Sequence, residues 1–115
     1  MHIAVLCHHS QFLRDRMAEG KLSLDGSSLA GKKITFHDPC YLGRHNGVYD
    51  APRYALGAAG AAVTEMAHTR NDSFCCGAGG GQFWKEEEHG TARVSIVRYN
   101  EASATRAETL AVSCP

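Results

Sequence analysis

The stretch Lys33-Ile34-Thr35-Phe36-His37-Asp38-Pro39-Cys40 decides the fold. Lys33 to His37 is β-branched and aromatic, as strands are, and Pro39 ends the run because proline has no N–H to give a ladder. A cysteine therefore stands at a strand's carboxyl end. Upstream, Ile3-Ala4-Val5-Leu6-Cys7 is a short apolar run that closes on polar His8, His9 and Ser10, and reads as another strand. Downstream, Ala61 to Met66 (AAVTEM) is a third, and Thr109 to Ser113 (TLAVS) a fourth that runs into Cys114. Between them the periodicity turns helical. Phe12, Leu13, Arg16 and Met17 recur at helical spacing until Gly20 stops them. A helix is expected from around Pro52, a residue suited to the first helical position, with Tyr54, Ala55, Ala58 and Ala59 as its apolar face. Residues 90–106 permit an amphipathic helix through Val94, Val97, Tyr99, Ala102 and Thr105. The alternation implies an α/β domain with a mainly parallel sheet and crossover helices. In such sheets the site lies at the carboxyl ends of the strands, where Cys7, Cys40 and Cys114 fall.

The linking segments carry their own signals. Residues 22–31 are a Ser- and Gly-rich loop, residues 41–50 an irregular loop with an Asn46-Gly47 turn, and the small residues 57–62 (GAAGAA) allow close packing of a helix. At 115 residues the chain fits one domain, and twelve basic residues against twelve acidic ones give no electrostatic footprint for nucleic acid. No apolar run nears the roughly 20 residues of a membrane span, and residues 1–10 lack the pattern of a secretory signal. The expected location is the cytoplasm. Five cysteines, an odd and unevenly spaced set, argue for metal or redox chemistry over a disulfide framework.

The strongest chemical signal is the doublet Cys75-Cys76, followed by Gly77, Ala78, Gly79, Gly80 and Gly81. Adjacent cysteines bridge only with strain, so a shared inorganic centre is the first expectation. Glycines such as Gly77 and Gly79 let backbone N–H groups approach a negatively charged, sulfide-rich object that a Cβ would block. Buried free thiols are the plainer alternative. The glycines alone are a weak dinucleotide fingerprint, and the preceding cysteines are wrong for that role.

Spacing brings a family into view: 34 residues separate Cys40 from Cys75 and 37 separate Cys76 from Cys114. With His37-Asp38-Pro39-Cys40-Tyr41-Leu42-Gly43-Arg44 and Ser73-Phe74-Cys75-Cys76-Gly77-Ala78-Gly79-Gly80, the chain resembles the CCG, or cysteine-rich, domain. That family includes subunits of heterodisulfide reductases and iron-sulfur subunits of glycolate, lactate and glycerol-3-phosphate oxidation. The resemblance implies a noncubane [4Fe-4S] cluster with Cys40, Cys75, Cys76 and Cys114 as ligands, or zinc in a closed thiolate site as the alternative. It also implies partner redox subunits, flavoprotein or ferredoxin-like, and a thiol, disulfide or small organic-acid substrate. Cys114-Pro115 matches the start of the family's terminal Cys-Pro-x-Cys, so the expectation is one CCG domain over residues 1–115, a piece of a larger redox protein cut before the last motif cysteine.

Other side chains carry two readings each. His37 could hydrogen-bond a cluster sulfur or protonate a leaving thiolate, or simply orient the loop. Arg44 and Arg53 could neutralise a cluster or grip an anionic substrate, or pair with Asp50 at the surface. Cys7 reads as a packed thiol in preference to an extra ligand, and His8-His9 as capping, solvated groups in preference to ligands. Phe83 and Trp84 shield the site or join the core, and Lys85-Glu86-Glu87-Glu88 reads as an exposed helix start. A metal-free enzyme working by exchange at Cys75 and Cys76 ranks last.

Overall fold

The computed structural model describes residues 6–86 and 89–113. In chain order these form α1 (His9–Ala18), β1 (Lys33–Phe36), α2 (Asp50–Ala58), β2 (Ala62–Thr64), α3 (Val94–Ala104) and β3 (Thr109–Ala111). A π-helical turn spans Tyr41–His45, and 3-10 turns span Arg70–Asp72 and Gln82–Trp84. The sheet is parallel with the order β2-β1-β3. In its register Ile34 lies opposite Val63 and Thr109, and Phe36 opposite Ala111. As the central strand of a parallel sheet β1 is covered on both faces, which is why consecutive Ile34, Thr35 and Phe36 are all buried. Leu42, Ala51, Met66 and Ala102 complete a small core. The α/β expectation holds.

The expected first strand falls mostly on residues 3–5, outside the described residues; Leu6 and Cys7 lie in no strand and are exposed, so Cys7 is not a packed core thiol. Capping accounts for His8. Its Nδ1 accepts from the Ser10 N–H at 3.3 Å while Gln11 Oε1 accepts from the His8 N–H at 3.0 Å, a reciprocal cap on α1. Partial burial, helped by the neighbouring His9, holds the His8 pKa below the usual histidine value, as an acceptor nitrogen requires.

The helices sit where periodicity puts them, but the buried faces differ. In α1 the residue that packs inward is Ser10, while Phe12 and Leu13 are exposed. Helix α2 begins at Asp50, two residues before Pro52, because a proline anywhere in the first turn gives up an N–H that has no helical partner. It buries Ala51 and Pro52 and leaves Tyr54 exposed. In α3 the buried pair is Arg98 and Ala102, with Val94 and Tyr99 outside, since the face is chosen by the ion partners of Arg98. Lys85 and Glu86 are exposed and lie in no helix; Glu87 and Glu88 lie outside the described residues. Phe83 and Trp84 are exposed and do not belong to the core.

Close packing appears at Gly60. A Cβ there would stand 2.0 Å from the Gly26 carbonyl oxygen, so the loop of residues 22–31 crosses the end of α2 at a distance only glycine permits. None of the helices among the described residues is long and apolar enough to cross a membrane.

Candidate metal centre

The carboxyl end of β1 leads directly into the first motif cysteine, Cys40. The His37 N–H donates to the Ala111 carbonyl at 3.0 Å, extending the β1–β3 ladder, and half-buried Cys40 follows three residues later. Cys114 stands three residues beyond Ala111 in the sequence and lies outside the described residues. Cys40 opens the π-helical turn, its carbonyl accepting from the His45 N–H at 3.2 Å. Such turns concentrate at functional sites. Gly43 makes this one possible, because a Cβ there would stand 2.6 Å from Cε1 of Tyr49.

Asp38, two residues before Cys40, anchors a partly buried ion network. The Asp38 carboxylate takes Arg53 Nη1 at 2.7 Å and Nη2 at 2.8 Å, and also the Arg70 N–H at 2.7 Å. Arg53 reaches Glu65 with Nε at 2.5 Å and Nη2 at 2.8 Å, and the Tyr49 carbonyl with Nη1 at 2.8 Å. Burial alone would raise the Asp38 pKa, but the bonds from Arg53, Arg70 and Thr69 outweigh it and hold the carboxyl below its usual range. Glu65 is held low chiefly by Arg53. Arg70 adopts φ +57° to bring its N–H onto Asp38, and its side chain pairs with Asp50 at 2.8 Å. The surface pairing of Asp50 is therefore with Arg70, whereas Arg53 is tied to Asp38 and Glu65, and Arg44 donates to the carbonyls of Asn71 and Ser73.

A second buried chain starts at His37. Its Nδ1 accepts from Arg98 Nε at 3.0 Å; Arg98 Nη1 donates to the His68 carbonyl at 2.7 Å and to Glu101 Oε2 at 2.8 Å. Burial, with the Arg98 charge beside it, pushes the His37 pKa down. The ring is thus neutral, and with Nδ1 accepting, the proton resides on Nε2. His68 in turn hydrogen-bonds Glu101, which raises its pKa, and packs edge-on against Phe74 with centroids 4.6 Å apart.

Phe74 leads into the doublet. Cys75 and Cys76 are half-buried, and neither they nor Cys40 form a disulfide. Gly77 takes φ +79° and donates its N–H to Cys75 Sγ at 3.4 Å. A Cβ on Gly77 would stand 3.1 Å from Val94 Cγ1 and 3.3 Å from Ser95 Cβ, so this loop is pressed on the first turn of α3. Gly79, by contrast, has nothing within 4 Å of such a Cβ. Cys76, Gly77, Phe83, Val94 and Ser95 are among the residues lining an open cleft of about 830 Å³. Among the described residues no three His, Cys, Asp or Glu side chains come close enough to hold a single metal ion.

These residues fit a thiolate-bound centre of several metal atoms. Three of the four nominated cysteines are described; they form no disulfide and are half-buried, and Cys75 receives an amide N–H at sulfur. Ligands of such a centre stand farther apart than those of one ion, because each binds a different atom. Sequence reasoning missed Glu65, Thr69, Arg98 and Glu101. The i,i+3 spacing of Arg98 and Glu101 was the available signal.

Comparison with known proteins agrees. The chain is 45% identical over 108 residues to the EtfAB:quinone oxidoreductase of Syntrophomonas wolfei, covering 94% of this chain and 15% of that protein. It is 42% identical over 109 residues to the probable iron-sulfur-binding oxidoreductase FadF of Bacillus subtilis, again 94% of this chain and 15% of that protein. To one subunit of the dihydromethanophenazine:CoB–CoM heterodisulfide reductase of Methanosarcina mazei it is 39% identical over 109 residues, 94% of this chain and 26% of that protein. The chain thus spans about a quarter or less of the length of these relatives. No solved structure matches it. Residues 34–115 match the cysteine-rich domain family, and on that coverage the chain belongs to the CCG cysteine-rich domains.

Proposed function

We propose that this domain is the iron-sulfur redox module of an oxidoreductase, holding a noncubane [4Fe-4S] cluster through Cys40, Cys75, Cys76 and Cys114. It exchanges electrons with a flavoprotein or ferredoxin-like partner, or with a thiol, disulfide or small organic-acid substrate, in the cytoplasm. When bound, the cluster takes up and releases electrons one at a time. The observation that carries the reading is the Gly77 N–H donating to Cys75 Sγ at 3.4 Å, in a doublet loop whose left-handed backbone favours glycine. An amide donor at a ligand sulfur spreads the thiolate charge and tunes the centre. The names of the relatives support the same class of chemistry.

The chain's own residues supply the rest. His37, neutral with Nδ1 accepting from Arg98, offers its Nε2–H beside the first ligand loop as a hydrogen bond to a cluster sulfur or to a thiolate that leaves as a disulfide is reduced; a neutral imidazole does not itself protonate that thiolate. Cys76 lines the open cleft, which gives a thiol, a disulfide or a partner's surface access to that side of the loop. The Asp38–Arg53–Glu65 network stiffens the turn that presents Cys40. The test is Cys76→Ser followed by anaerobic reconstitution. We expect an unchanged circular dichroism spectrum with most of the iron and sulfide lost; retention of the wild-type content overturns the ligand assignment.

A further inference from the structure

Arg98 is 5% exposed, and its Nη2 is a buried nitrogen with no hydrogen-bond partner. Buried charged donors are seldom left unmade. Its other nitrogens are engaged: Nε donates to His37 Nδ1, and Nη1 to the His68 carbonyl and Glu101. Because the guanidinium is a planar fork, Nε and Nη2 share one edge. Since Nε is bonded to His37, the open donor lies on the edge that faces the carboxyl end of β1, three residues before Cys40. Arg98 also joins the two ligand-bearing segments, touching His37 on one side and, on the other, His68, whose ring packs against Phe74 before Cys75. Thr35 Oγ1 is buried and unpartnered too, but it is an uncharged hydroxyl within the sheet.

We propose that Arg98 donates from Nη2 to a sulfur of the centre held by Cys40, Cys75 and Cys76, and so sets its reduction potential. This rests on the iron-sulfur reading. A cation donating to sulfur favours the reduced, more negative state, so losing it makes the centre harder to reduce. The experiment compares wild type, Arg98→Lys and Arg98→Gln, loaded anaerobically, by iron and sulfide content and by EPR-monitored redox titration. In Arg98→Gln we expect the wild-type metal content with the one-electron equilibrium shifted about tenfold, about 59 mV more negative. We expect a smaller shift in the same direction in Arg98→Lys. Loaded variants at the wild-type potential overturn the proposal, as do folded variants that no longer load. Should neither variant fold, pulsed EPR of the reduced wild-type protein labelled with 15N-arginine decides: a guanidinium nitrogen coupling supports the contact, and its absence overturns it. A wild-type protein that takes up neither iron nor sulfide defeats the iron-sulfur reading itself, a separate result.

Discussion

Arg53 engages every nitrogen of its fork, against Asp38, Glu65, Tyr49 and Thr69, with its guanidinium carbon 5.1 Å from the centre of the Phe36 ring. Replacing it leaves the buried Asp38 carboxylate facing only Thr69 and the Arg70 N–H. Arg53→Met is therefore expected to cost roughly 3–5 kcal/mol, measured by urea denaturation, and a loss below about 1 kcal/mol contradicts the network's role. Gly77→Ala places a Cβ against Val94 and Ser95 in a left-handed conformation, and should cost about 1–2 kcal/mol in metal-free protein. Gly79→Ala meets nothing and should stay within about 0.5 kcal/mol by the same measurement. Sequence alone treated these two glycines alike. Their difference is a matter of φ and of what α3 places nearby, and neither is encoded in a run of glycines. His37 drew notice in the sequence because it stands three residues before a cysteine at a strand end; Arg98 did not, because a charged residue in a helix is read as solvated until its partners are known.

Strands and helices were legible where local chemistry decides them. The β-branched run 33–36 became β1, and Pro52 and Gly60 bracketed α2. What local pattern did not show is which side of each helix packs inward. In α3 the ion partners of Arg98 override the apolar count, and the short apolar residues of α2 bury Ala51 and leave Tyr54 outside. The segment after Cys40 was expected to be irregular and is instead a π-helical turn, whose close fit depends on Gly43 against Tyr49. Gly43→Ala should destabilise the domain by about 1–3 kcal/mol through overpacking, read from the thermal midpoint. Tyr49→Ala in the same chain should recover part of that loss, and a Gly43→Ala protein as stable as wild type contradicts the fit.

The molecule as a whole is thin. It measures 51 × 47 × 20 Å, and its accessible surface is 8172 Å² against about 6100 Å² for a compact protein of this mass. With so small a core, the buried ions weigh heavily, and stability should follow their titration. Asp38 and Glu65 are held low, so their contribution is present above the ordinary carboxylate range of about 4 and is lost as pH falls through their depressed folded values. His37, also held low, contributes above about 6.5 and weakens the fold as pH drops below that. His68 runs the other way. Raised by Glu101, it contributes below about 6.5, and that part disappears as pH rises through its folded value. Thermal midpoints measured from acid to alkaline pH should fall on the acid side, with a shallow alkaline decline that His68→Gln removes; an alkaline decline unchanged in that variant contradicts the assignment. The most direct measurement for the domain's function is iron and acid-labile sulfide analysis of anaerobically prepared protein, with EPR in oxidised and reduced states. About four irons and four sulfides per chain with a redox-dependent signal is the expected result. About one zinc per chain and no sulfide is the result that contradicts it.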